Sequence, residues 1–98
     1  MRRAAAVDAN QPSVVDTLRR AGCVVECLHS VGGGVPDLLV GRRGVVYLLE
    51  VKDGSKPPSK QALTDDQKAW HAMWAAFGVR VQVVRSDVEA LRAVGLAV

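Results

Sequence analysis

Apolar residues recur along this chain with two different periods, which predict an alternation of helices and strands. Between residues 10 and 21 the spacing is helical, at Val14, Val15, Leu18 and Ala21. Asn10 is placed to cap this helix, Pro12 suits its first turn, and Gly22 ends it. Residues 23–29 are rich in β-formers and run into the flexible triplet Gly32-Gly33-Gly34. The chain therefore opens with a helix, a strand and a glycine loop.

Two apolar runs in the middle of the chain predict a β-hairpin. They cover residues 35–40 and 45–51, and only Gly41-Arg42-Arg43-Gly44 separates them. A two-residue turn at Arg42-Arg43 would pair Gly41 with Gly44 and set Asp37 opposite Leu48.

The second half of the chain adds two helices around one more strand. Residues 53–60 contain Gly, Ser and paired Pro and predict a basic loop. A capping box, Thr64 to Gln67, opens a helix that stops at Gly78; residues 79–84 predict a strand, and Ser86 opens a short last helix. We therefore expect one α/β domain over residues 1–98, in the order α-β-β-β-α-β-α, with a mixed sheet of about four strands flanked by helices.

Three charged residues interrupt the apolar hairpin. Glu50 and Lys52 lie two apart on one strand and therefore share a face. An even-length turn places Asp37 on that same face, diagonal to Glu50 at a backbone separation of about 7–8 Å. Two carboxylates at this separation could hold Mg²⁺, with Lys52 stabilising charge on a phosphate. A plain ion pair on an edge strand is the alternative.

Composition limits the classes of function. The net charge of +3 favours an anionic partner without identifying it. The first residues reach Asp8 and Asn10 before any apolar stretch long enough for a leader or a membrane span, so we expect a cytoplasmic protein without a membrane partner. Cys23 and Cys27 show no zinc pattern and are expected to be buried free thiols.

Pro36-Asp37 followed by Glu50-Val51-Lys52 resembles the signature of the PD-(D/E)XK nucleases, and the order of elements is similar to their restriction-endonuclease-like core. Within that superfamily, residues 34–41, 49–58 and 63–67 resemble the virus-type replication-repair nuclease domain, VRR-NUC, in its small stand-alone form. The resemblance implies a divalent-metal-dependent DNA endonuclease, using Mg²⁺ or Mn²⁺ and no small-molecule cofactor. It also fits a phage origin, in which case the host cytoplasm is the expected location.

The resemblance assigns roles to individual residues. Asp37 and Glu50 would bind the metal, the carbonyl of Val51 would add a ligand, and Lys52 would be the catalytic lysine. Gln67 matches the family's glutamine at the start of the following helix, although its place in the capping box explains it equally well.

One departure concerns the first helix, where the family usually carries an acid and this chain has Gln11. Asp8 or Asp16 could substitute. The departure motivates one alternative reading, a catalytically inactive nucleic-acid-binding module of the same fold; a protein-interaction role for the basic loop and the tryptophan face is another.

The expected partner is DNA, and the resemblance favours branched forms such as flaps and four-way (Holliday) junctions. The basic residues expected to contact it are Lys56, Lys60, Arg42 and Arg43. Cutting both strands of a junction needs two sites, so a homodimer is expected. Trp70 and Trp74 share a helical face that suits a core or dimer contact better than base stacking, and His71 has no partner at ligand spacing.

Overall fold

The computed structural model describes residues 7–98, which form a four-stranded mixed sheet flanked by helices. The helices are α1 (Gln11–Arg20), α2 (Asp65–Ala75) and α3 (Asp87–Ala93), and the strands are β1 (Val24–Cys27), β2 (Leu38–Arg42), β3 (Val45–Val51) and β4 (Val81–Val84). The order α-β-β-β-α-β-α is the predicted one. A 3₁₀ turn, Pro58–Lys60, lies within the basic loop.

The sheet order is β1-β2-β3-β4, with β1, β2 and β3 antiparallel and β4 parallel to β3. A parallel pair needs a long crossover, and here residues 52–80, including α2, supply it. Both neighbours of β3 are therefore strands, so Glu50 lies on an interior strand. The edge-strand alternative is wrong.

One face of the sheet carries the hydrophobic core. Buried side chains from alternate positions of all four strands pack against α1 and α3, and the cluster consists of Val14, Val15, Leu18, Cys23, Val25, Leu38, Val40, Leu49, Val51, Val84, Ala90 and Val94. The alternation of buried and exposed residues along β2 follows from the period of two in a strand.

The opposite face, which we call the site face, carries the alternate residues Leu39 of β2 and Val46, Leu48 and Glu50 of β3. Helix α2 lies on this side but buries only Gln67. Leu39 and Val46 stay exposed. The site face is thus apolar and open at one end and charged and covered at the other.

The hairpin turn differs by one position from the prediction. Arg42 pairs with Val45, so the turn residues are Arg43 and Gly44, both at positive φ (49° and 79°). Positive φ at both central positions is a type I′ turn, in which glycine at the second position is favoured. The even loop length is kept, but Asp37 comes opposite Glu50 instead of Leu48.

The helix starts agree with the sequence in part. Thr64 and Gln67 form the predicted capping box of α2, each bonding the backbone N–H of the other. Asn10 precedes α1 but makes no cap hydrogen bond; its Nδ2 instead donates to the carbonyls of Lys52 and Arg85, at 3.0 and 3.3 Å. Asn10 thus ties the start of α1 to the ends of β3 and β4.

Two smaller expectations can be compared with the structure. Cys23 and Cys27 are both free, but only Cys23 is buried. Across residues 7–98, no helix has the length and apolar character needed to cross a membrane.

Candidate active site

Asp37 and Glu50 face each other across the hairpin, at the covered end of the site face. The β2–β3 register pairs Leu38 with Leu49, and one further step brings Asp37 opposite Glu50. Their side chains are 4% and 1% exposed. Asp37 is oriented by the backbone N–H of Val51, which donates to Oδ2 at 2.8 Å. The hairpin alone therefore places two buried carboxylates side by side.

Lys52 completes the cluster on the same face, two residues after Glu50. It is 7% exposed, and its Nζ donates to Oε1 of Gln67 at 2.9 Å. Its backbone N–H bonds the carbonyl of Val84, which fixes the main chain where β3 ends. A buried ammonium held by a neutral amide remains available for an anionic group of a substrate.

Gln67 caps α2 and also contacts the charged cluster. Its Oε1 accepts from the backbone N–H of Thr64 and from Lys52 Nζ, both at 2.9 Å, and its Nε2 donates to Glu50 Oε2 at 3.2 Å. The amide is thus satisfied on both sides. Gln67 joins the start of α2 to both charged residues of β3.

His71 also reaches the cluster, which sequence reasoning missed. Its Nε2 lies 3.3 Å from Glu50 Oε1. The available signal was its position four residues after Gln67, which puts both side chains on one face of α2. The two carboxylate oxygens of Glu50 are therefore each held by one α2 side chain.

Burial and the neighbouring carboxylate of Asp37 raise the pKa of Glu50 from 4.5 to about 9, while Lys52 acts in the opposite direction. Burial, followed by the charge of Lys52, lowers the pKa of His71. In the absence of a bound cation, Glu50 is thus protonated and His71 neutral at neutral pH.

The donor set fits a hard divalent cation. Asp37 and Glu50 are buried, and their proximity opposes ionisation of both carboxylates at once. Carboxylate oxygens are the ligands that Mg²⁺ favours. Continuing the ladder also brings Pro36 opposite Val51, and proline has no N–H to offer that carbonyl. Asp37, Glu50 and the Val51 carbonyl are thus the groups that could hold a metal. Residues 7–98 contain no cluster of three or more His, Cys, Asp or Glu suited to a metal, so water would fill the remaining positions.

The stability of the metal-free protein should fall as pH rises from about 7 to about 9. In this interval the folded state keeps the Glu50 proton and the unfolded state does not, so unfolding releases a proton and is favoured by higher pH. This pH interval lies above the ordinary pKa of histidine, so titration of His71 does not contribute to the loss of stability. Urea unfolding in EDTA should show a loss of about 2 kcal/mol, since each pH unit contributes up to about 1.4 kcal/mol. Glu50→Gln should abolish the slope; a slope unchanged in that variant would contradict the assignment.

The acidic residues proposed near the first helix lie in different environments. Asp8 is close enough to raise the pKa of Glu50 and lies 4.0 Å from Lys56 Nζ, whereas Asp16 forms an exposed ion pair with Arg20. Gln11 is 3% exposed, and its Oε1 has no hydrogen-bond partner among residues 7–98. Of the two carboxylates, Asp8 is the one close enough to influence Glu50.

The four basic residues expected at DNA lie in two places. Lys56 and Lys60 belong to the exposed loop that follows Lys52. Arg42 and Arg43 lie at the hairpin turn, where Arg42 donates to the carbonyl of Val94 at 3.2 Å. Seven residues of extended chain, about 23 Å, separate Arg43 from Glu50. The loop that carries the lysines begins beside the cluster, at Lys52, whereas the turn arginines are remote from it.

Comparison with solved structures finds a chain described as "VRR_NUC domain" with a TM-score of 0.61 and 25% sequence identity, over 89% of this chain and 96% of that chain. No protein-family model and no curated protein gives a match. The structural likeness confirms the family resemblance at the level of the fold: the chain has the VRR-NUC fold, which is a nuclease fold.

Proposed function

We propose that this chain, which has the fold of a VRR-NUC nuclease domain, is a divalent-metal-dependent DNA endonuclease. One observation carries the proposal: Asp37 lies opposite Glu50 in a buried pair, with Lys52 held beside it on the same face. Maintaining two adjacent buried carboxylates destabilises the metal-free protein, so a functional reason for them is required.

The side chains of the cluster have different proposed roles. Asp37 and Glu50, with the Val51 carbonyl, would hold Mg²⁺ or Mn²⁺, which would supply a polarised water and neutralise phosphate charge. Lys52, positioned by Gln67, places its ammonium against the non-bridging oxygens of the scissile phosphate, where negative charge develops. The interior position of the cluster keeps competing water away from this ammonium.

Branched DNA is the proposed substrate class, on the strength of the family resemblance. The loop that carries Lys56 and Lys60 begins directly after Lys52, and its exposed lysines are the proposed contacts for the phosphate backbone on that side of the cluster. Arg42 and Arg43 can contact only a second, distant part of such a substrate, because the length of β3 separates them from the cluster.

The test is a cleavage assay on labelled four-way-junction, flap and linear duplex DNA with Mg²⁺, Mn²⁺ or EDTA. Wild-type protein should cut with either metal and not in EDTA, and should prefer the branched forms. Lys52→Ala should bind DNA without cutting it, whereas Lys68→Ala, an exposed lysine of α2, should cut normally. Cutting that persists in EDTA or in Lys52→Ala would refute the proposal.

Gln11 supports the second candidate, an inactive nucleic-acid-binding module. A neutral, buried amide occupies the place where the family usually carries an acid, and Asp8 approaches Glu50 from a neighbouring position. DNA binding without cleavage in either metal would favour this candidate, and Gln11→Glu would then be the variant to examine for restored cutting.

A homodimer is proposed because paired cuts need two sites. Its support is an exposed apolar cluster at the end of α2, where Met73, Trp74 and Phe77 are 57%, 40% and 85% exposed. Light scattering should give twice the chain mass for wild type and the single chain mass for Phe77→Asp. A monomeric wild type at assay concentration would refute the dimer and leave the nuclease proposal standing.

A further inference from the structure

We infer that His71 is a positioning residue for the metal site, which holds the Glu50 carboxylate in one orientation together with Gln67. The inference rests on the proposed function and extends it to a residue outside the signature. His71 contacts Glu50 Oε1 at 3.3 Å, and Gln67 contacts Oε2 at 3.2 Å. Each α2 side chain therefore takes a different oxygen.

Holding both oxygens leaves the carboxylate able to ligate. An ionised carboxylate offers about four lone-pair directions on its two oxygens, and the two α2 side chains use one on each. The remaining directions include the side of the hairpin partner Asp37. With only one of the two contacts, the carboxylate could rotate about its last side-chain bond and present its oxygens in several orientations.

The contact is anchored at both ends. Glu50 lies on interior strand β3, and α2 is fixed at its start by the capping box of Thr64 and Gln67. His71 follows Gln67 by one helical turn, so the register of α2 brings both side chains to the carboxylate together. Two side chains of the same helix, Gln67 and His71, therefore contact Glu50 together.

The environment of His71 differs from that of a core residue. His71 is absent from the hydrophobic core, and its side chain remains 16% exposed. Gln67 is the residue of α2 that is fully buried, and His71 beside it is half-buried. What it contacts is the carboxylate, and a partner that orients a ligating carboxylate typically changes metal affinity or activity by about 10–100-fold.

The experiment compares His71→Phe with His71→Gln. Phenylalanine keeps the ring volume and removes the donor, whereas the glutamine Nε2 reaches about as far as the imidazole Nε2 and restores it. Lys68→Ala, an exposed neighbour on α2, is the matched control. The first readout is Mn²⁺ affinity by isothermal titration calorimetry without DNA, and the second is cleavage as a function of Mn²⁺ concentration; circular dichroism confirms folding of each variant.

His71→Phe should bind Mn²⁺ about 10-fold more weakly than wild type, and His71→Gln should recover to within about 3-fold. Cleavage by His71→Phe should approach the wild-type rate at saturating Mn²⁺, which a folding defect would not allow. Equal Mn²⁺ affinity in His71→Phe and wild type would overturn the inference alone. Absence of Mn²⁺ binding by wild type would overturn the proposed function as well, so the two failures are distinguishable.

Discussion

Asp37→Asn is expected to abolish cleavage while making the metal-free protein more stable. Removing a residue that only orients a metal ligand typically lowers activity by up to about 100-fold. Asp37→Asn removes a proposed ligand itself, so the cleavage rate should fall by more than that. Asparagine keeps an oxygen for the Val51 N–H and turns an amide N–H₂ toward Glu50. Glu50 can then ionise beside an amide donor instead of having to keep its proton beside Asp37, so the free energy of unfolding at about pH 8 should rise by about 1 kcal/mol.

The measurements are single-turnover cleavage of branched DNA and urea unfolding in EDTA. Asp16→Asn is the matched control, since its carboxylate is exposed and paired with Arg20; both quantities should stay at wild-type values. An Asp37→Asn protein that cuts normally would remove Asp37 from the metal site. A variant that is inactive but less stable would show that the two carboxylates do not oppose each other.

Gly34→Ala is expected to displace α2 from the sheet. A Cβ at this position would lie 2.2 Å from the backbone oxygen of Asp66, in the first turn of α2, and the φ of +85° is itself unfavourable for alanine. Backbone cannot move aside as a side chain can, so we expect a loss of about 3 kcal/mol of stability. Gln67 would then lose its contacts with Lys52 and Glu50, and cleavage should fall with it.

Gly22→Ala is the control that separates the conformational cost of alanine at positive φ from the cost of the clash with Asp66. Gly22 has a φ of +92°, and no atom of residues 7–98 lies within 4 Å of an added Cβ, so alanine there should cost only the conformational penalty of about 1 kcal/mol. Both tryptophans of the chain lie in α2, so intrinsic fluorescence follows the displaced helix directly during unfolding. Equal destabilisation by the two substitutions would mean that the contact with Asp66 carries no weight.

The hairpin and its charged face were predictable because they depend on local periodicity. A period of two puts Glu50 and Lys52 on one face, and any even turn brings Asp37 to the same face. The prediction failed by one position at the turn itself. Both turn residues have positive φ, and such a turn favours glycine at its second position. Arg43-Gly44 therefore fits the turn better than the predicted Arg42-Arg43.

The contributions of α2 were less predictable because they depend on long-range packing. The capping box correctly gave the start of the helix, but no local pattern determines how the helix is rotated relative to the sheet. Gln67 was identified through the family resemblance, and His71 followed only once the position of α2 was known. The triplet Gly32-Gly33-Gly34 likewise predicted only a flexible loop, whereas Gly34 permits close contact with α2.

The parallel pairing of β3 with β4 has a consequence for how the site forms during folding. The carboxylate pair belongs to one antiparallel hairpin, closed by two turn residues, whereas Gln67 and His71 arrive on the crossover between β3 and β4. Short loops close faster and at lower entropic cost than long ones. We therefore expect the hairpin to bring Asp37 and Glu50 together before the crossover docks, at a stage when both carboxylates are still solvated and ionised and repel each other. A divalent cation captured at that stage would speed folding as well as stabilise its product.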